Sequence, residues 1–138
     1  MDIKIFCPLW GNEQVPVRTF FARVKEAGYD GVETWLPDDK QKRKLFLEEL
    51  QACDLLLISH QHQATGKTLD DYLKSYLHYL SICLQGEPVL INSHSGRDYF
   101  SFEDQKRVIN SALEFSATHK IEVLHEIHRG RIGYSPLA

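Results

Sequence analysis

The feature that most constrains this chain is a regular alternation of two hydrophobic patterns. Short apolar runs cover residues 3–9, 31–36, 55–60, 88–93 and 121–126. Their length and branched side chains suit buried strands. Between them lie segments with helical spacing. The first carries Val17, Phe20, Phe21, Val24 and Ala27 on one face, with Pro16 near its start and Gly28 just past its end. The second follows Asp38 and Asp39, which are suited to capping, and runs through Phe46, Leu47, Leu50 and Cys53. The third opens on Thr68, with Asp71 placed to answer it as in a capping box. Its stripe is Leu69, Tyr72, Leu73, Tyr76, Leu77, Leu80 and Leu84. The fourth opens on Ser101 and continues through Val108, Ile109, Ala112, Leu113 and Phe115. The resulting order, βαβαβαβαβ, predicts a parallel sheet with right-handed crossovers. Two architectures satisfy it: an open doubly wound sheet, or part of a (β/α)8 barrel. Five strands complete a small open sheet, whereas a whole barrel takes eight strands and about 250 residues.

The chain has 138 residues, enough for a single domain with its own core. Its formal net charge of −3 gives no general attraction to nucleic acid or to an anionic membrane. No stretch reaches the roughly 18 apolar residues of a membrane span. The opening MDIKIFCPLWGNEQ lacks the basic flank and apolar run of a signal peptide. Cys7, Cys53 and Cys83 are scattered without C-x-x-C spacing, which fits reduced, mostly buried thiols and a cytoplasmic location.

The polar residues collect at the ends of the apolar runs. The first ends at Trp10, and the second carries Glu33 and Trp35. The third ends in His60 and His62, the fourth in Asn92, His94 and Arg97, and the fifth in Glu126 and His128. In parallel α/β folds the C-terminal strand ends form one face, where ligands bind. His60/His62, Asn92/His94 and Glu126/His128 are each spaced by two, so on regular strands each pair points to one side. One histidine at a strand end is ordinarily a structural residue. Three such ends with a glutamate predict a shared site. Imidazole and carboxylate together bind Zn²⁺ or Mn²⁺ and also serve as general acids and bases. Arg97, Arg129 and Arg131 suit a phosphate or carboxylate, or plain loop solvation. His78 and His119 fall on helices and are expected to be solvated. The absence of G-x-S-x-G, P-loop and G-x-G-x-x-G motifs weakens hydrolase, NTPase and dinucleotide readings.

The stretch FFARVKEAGYDGVETW, with its phrase EAGYDGVE, resembles the first helix and second strand of the xylose isomerase-like TIM barrels. This is the sugar phosphate isomerase/epimerase superfamily, which includes endonuclease IV-type enzymes. His60, His94 and Glu126 fall where that family closes its third, fourth and fifth strands. The resemblance implies an α/β chain forming an incomplete (β/α)8 TIM barrel of about five βα units, with residues 1–138 as one partial domain. It implies that Glu126 is a metal ligand that also borders the transferred proton. His60, His94, His128 and Arg129 then contact substrate, with Trp10 and Trp35 as apolar walls, and Glu33 matches a strand-two glutamate. The implied chemistry is isomerisation or epimerisation of a sugar or sugar phosphate. A divalent ion (Mn²⁺, Zn²⁺ or Mg²⁺) polarises the carbonyl while a carboxylate moves the proton.

The sequence departs from that family in one respect. The family completes its metal site with an aspartate, a histidine and a glutamate after strands six to eight, and this chain stops after the fifth apolar run. It therefore reads as the N-terminal part of an enzyme, inactive and without bound metal on its own. GYSPLA would lead toward a fifth helix, and a second copy would cover the open sheet edges. Two alternatives remain at this level. One is a metal-dependent phosphodiesterase using His60 and His94 as zinc ligands. The other is a non-catalytic, oligomerising half-barrel. Neither nucleic acid nor membrane is an expected partner.

Overall fold

A computed structural model describes residues 3–134; the last four residues of GYSPLA lie outside the described range. Five strands alternate with four helices: β1 (Phe6–Pro8), α1 (Val17–Glu26), β2 (Gly31–Thr34), α2 (Lys40–Ala52), β3 (Leu56–Gln61), α3 (Leu69–Leu84), β4 (Leu90–Ser93), α4 (Phe102–His119) and β5 (Val123–His125). All five strands pair in parallel, in the order β1-β2-β3-β4-β5. A doubly wound sheet reverses its strand order at a switch point. Here every crossover steps the same way, so the doubly wound alternative is set aside. Right-handed crossovers that all advance in one direction lay their helices on one face of the sheet.

Burial along the strands agrees with that placement. Val32, Thr34, Leu57, Ser59, Ile91 and Ser93 are buried. Their alternating neighbours Glu33, Ile58, Leu90 and Asn92 are half-buried, and Leu56 and Leu124 are exposed. Helices therefore cover one face only, and the other is buried in part, around His60, rather than throughout as the apolar runs predict. The strands are also shorter than those runs, because the flanking residues make single contacts to the sheet rather than ladder pairs. Leu9, for example, donates its amide to the Glu33 carbonyl beyond the end of β1.

The helix starts are set by side-chain oxygens. Asp39 accepts from the Lys42 amide, Thr68 from that of Asp71 and Ser101 from that of Asp104. Gly28, at φ +83°, turns the chain away from the end of α1. Phe20, Phe21 and Val24 of α1 join Phe46 and Leu50 of α2 over Val32 and Leu57 in one apolar cluster. Tyr72, Tyr76 and Leu80 of α3 join Val108, Ala112 and Phe115 of α4 over Ile91 in a second. Three residues of the expected stripes are not in the core. Ala27, just past the end of α1, and Leu77 and Leu113 are exposed, and Ile82 and Cys83 take buried positions on α3. The α3 stripe is wide enough to be drawn with more than one axis, and the sheet selects the side it meets. His78 and His119 are exposed, as expected. Among the described residues no helix is long and apolar enough to cross a membrane.

Candidate functional site

The strand register brings the polar strand ends together. His60 of β3 lies beside Asn92 of β4, and Asn92 lies beside Leu124 of β5. Pairing continues past the strands, since His94 donates its amide to the Gln61 carbonyl and Glu126 donates to that of Ser93. Laterally paired residues in a parallel sheet share a face. His60, Asn92, His94 and Glu126 therefore converge on the face opposite the helices.

Glu126 is the centre of this group. Its Oε2 accepts a hydrogen bond from Asn92 Nδ2 at 2.8 Å. It also lies 3.3 Å from His94 Nε2 and 4.0 Å from His60 Nε2. The second hydrogen of the Asn92 amide goes to Glu33 Oε1 at 2.6 Å. One amide thus bridges two carboxylates, and only the orientation with nitrogen toward both of them satisfies both acceptors. Glu33 and Glu126 become a single unit through Asn92.

The histidines are held in an unusual state. His60 is 1% exposed, and neither of its ring nitrogens has a hydrogen-bond partner. The buried His94 Nε2 has only the Glu126 carboxylate near it, at 3.3 Å and without well-aligned hydrogen-bond geometry. Buried polar atoms without partners are uncommon and costly. Burial, reinforced by the neighbouring His94 and His62, lowers the His60 pKa from 6.5 to about 4. Burial also lowers those of His62 and His94. The imidazoles are neutral at pH 7, with lone pairs available. Burial opposes ionisation of Glu126, but the Asn92 hydrogen bond and the adjacent imidazoles outweigh it, and its pKa falls below the usual carboxylate value.

One ligand atom from each of His60, His94 and Glu126 lies within 4.8 Å of the other two. Ligands on a tetrahedral zinc with bonds of about 2.0–2.1 Å stand roughly 3.4 Å apart. The 3.3 Å pair already fits, and small side-chain movements would bring in the third. Two neutral imidazoles and an ionised carboxylate form a suitable donor set for Zn²⁺ or Mn²⁺. His60 and His94, expected as substrate contacts in the isomerase reading and as zinc ligands in the phosphodiesterase reading, thus stand with Glu126 in one candidate donor set.

No protein-family model and no curated protein matches this chain.

The remaining expected residues divide. Trp10 and Trp35 stand together, with ring centroids 4.6 Å apart. Both border His62, at 5.4 and 5.2 Å, and Trp10 also lies 5.6 Å from His60. Trp10 is 47% exposed, so an aromatic face is open to solvent beside the imidazoles. His128 stacks on His94 at 4.3 Å. The Arg129 side chain is not brought in. It is exposed and forms no hydrogen bond or ion pair among the described residues. Behind β4, on the helix side, Tyr76 bonds to Ser93 and Ser95, and Ser95 bonds to His125 Nδ1 at 2.6 Å. This network seats the backbone that carries His94. The surface grooves along α2 lie elsewhere, away from the histidines.

Replacing His60 by leucine is expected to stabilise the metal-free protein by about 1–2 kcal/mol, because two unpaired buried nitrogens disappear. The unfolded chain protonates His60 near 6.5, whereas the folded chain resists protonation until about 4. Unfolding therefore takes up a proton in that window, and stability falls as pH drops through it. The variant should show a shallower slope there in urea unfolding curves. A variant less stable than the parent at pH 7 would show that His60 has a protein partner.

Proposed function

We propose that this chain carries the metal-holding and proton-transferring part of a sugar or sugar phosphate isomerase or epimerase built on a (β/α)8 barrel. One observation carries the reading: His60, His94 and Glu126 converge at the C-terminal ends of three successive parallel strands, within 4.8 Å of one another. His60, His94 and Glu126 would hold a divalent ion. Such an ion, when bound, polarises a carbonyl and stabilises the enediolate that forms when the neighbouring carbon loses its proton. Glu33 and Glu126 are the two carboxylates available to take and return that proton, and Asn92 fixes both. Trp10 and Trp35 give the apolar C–H face of a sugar a surface to lie on, and His62 and His128 supply polar edges. A substrate on this face is enclosed from the helix side and open to solvent on the other.

The two histidines favour a second reading, because they stand where a phosphodiesterase would use them as zinc ligands. The acidic net charge and the lack of a basic stripe oppose a nucleic-acid substrate.

The only two tryptophans in the chain are Trp10 and Trp35, so fluorescence excited selectively at tryptophan reports on this site. The sequence alone predicts a chain that is inactive and metal-free by itself; three donor residues in one place lead us instead to expect uptake of one Zn²⁺ or Mn²⁺. The loaded chain should then show a saturable fluorescence change with sugar polyols, and solvent deuterium should enter ketoses in its presence. A response to bis(p-nitrophenyl) phosphate, with hydrolysis and no response to polyols, would transfer the assignment to the phosphodiesterase. A chain that takes up no divalent ion would overturn both.

A further inference from the structure

Two arginines stand together beside the site without an acid. Arg97, in the loop after β4, donates Nη2 to the Ala64 carbonyl at 2.9 Å. Arg131, in the segment after β5, donates Nη2 to the His62 carbonyl at 2.9 Å. Both therefore grip the same short segment after β3, two residues apart. Both also meet Tyr72. The Arg97 guanidinium carbon lies 5.8 Å from the centre of that ring, and Arg131 interacts with the Tyr72 hydroxyl. The two loops are laced together, with the Ile132 amide on the Ser95 carbonyl and the Asp98 amide on the Gly130 carbonyl.

Among the described residues neither guanidinium forms an ion pair. The nearest acid in sequence, Asp98, offers only its backbone to this contact. Asp70, at the start of α3, is taken by Arg107. Arg131 Nη1 is buried and has no acceptor. A guanidinium carries five donors, and the bonds to the Ala64 and His62 carbonyls use only one from each arginine. Burial, and the charge of Arg97, press on the ionised form of Arg131. Two like charges half-buried side by side are costly unless an anion joins them. Arg131 bonds the backbone of His62, whose ring lies 5.3 Å from that of His60.

We infer that Arg97 and Arg131 form an oxyanion subsite that takes the phosphate of a phosphorylated substrate whose carbonyl end reaches His60, His94 and Glu126. A phosphate dianion suits it better than a carboxylate, because its tetrahedral oxygens can meet two planar forks at once. The substrate is thereby a sugar phosphate rather than a free sugar. That last step rests on the isomerase reading; the anion subsite does not.

The test titrates the chain with inorganic phosphate by calorimetry, with sodium chloride holding the ionic strength constant. Saturable binding is expected, weakened about tenfold or more in Arg97→Gln. Arg131→Lys keeps the charge but loses the fork and should weaken binding by a similar factor. If Arg131→Lys does not fold, Arg97→Gln alone decides. Phosphate binding that is absent, or unchanged in Arg97→Gln, or matched by acetate, would overturn the inference. If it fails while Zn²⁺ uptake and ketose exchange persist, the isomerase reading stands on unphosphorylated sugars. Phosphate binding in a chain that takes up no metal would support the subsite and sink the parent reading.

Discussion

Glu126→Gln is expected to lower the affinity of the chain for Zn²⁺ or Mn²⁺ about 100-fold or more. Removing groups that merely orient metal ligands typically costs 10- to 100-fold, and Glu126 would be a ligand itself. Glutamine has nearly the same shape, so the core around it is undisturbed. Its amide oxygen can still accept from Asn92, but the charge that balances the cation is gone. Competition against a chromophoric chelator gives the ratio directly, with circular dichroism confirming the fold. The carboxylate of Glu126 is the only charged group of the three at pH 7, because burial keeps the two imidazoles neutral. The variant should therefore lose more affinity than His60→Leu. Equal affinity in parent and Glu126→Gln would remove the carboxylate from the metal seat, and with it the argument for Lewis-acid chemistry here.

The largest effect on stability is expected at Tyr76. Its ring is fully buried in α3, stacked 5.9 Å from that of Tyr72. Its hydroxyl lies 3.0 Å from the hydroxyls of both Ser93 and Ser95. Tyr76→Ala opens a cavity of aromatic size, which costs about 3–5 kcal/mol, and also removes a partner from two buried hydroxyls. The loss should reach about 4 kcal/mol or more in urea unfolding, a large share of the ~5–15 kcal/mol typical of a domain. Tyr76→Phe keeps the ring and removes only the hydroxyl, so about 1–2 kcal/mol is expected. Ser93 and Ser95 keep each other at 2.8 Å in that variant. If the two variants proved equally destabilised, the hydroxyl network rather than ring packing would be holding α3 on the sheet. The Phe variant also asks whether this network positions His94, since metal affinity should fall if β4 shifts beneath it.

The alternation of strands and helices was legible because hydrophobic period is a local property. The helix starts at Asp39, Thr68 and Ser101 were legible for the same reason, since a cap is a contact across three residues. The convergence of His60, His94 and Glu126 followed from a spacing of two and the geometry of parallel sheets. The Asn92 bridge was half visible. Its place two residues before His94 set its face, but nothing local says that its amide would find Glu33 on one side and Glu126 on the other. Which arginines matter was not legible. Arg97, Arg129 and Arg131 all fall in loops, and only the lacing of those loops separates the half-buried pair from the exposed Arg129. The exposure of Leu56 and Leu124 was hidden as well, because an apolar run shows that a strand is hydrophobic but not how many of its faces are covered.

β5 is three residues long, has a single strand neighbour and is the least buried strand of the β2–β5 set. Like β1 it is a short edge strand, and such edges open more readily than inner strands. Glu126 follows it directly, while His60 lies on β3 and His94 just past β4. An ion held by these three side chains would join this edge to two inner strands, as a clasp holds the free end of a strap. Occupancy of the site and closure of the sheet margin would then be one equilibrium, and the chain would be tightest at its edge when charged with metal.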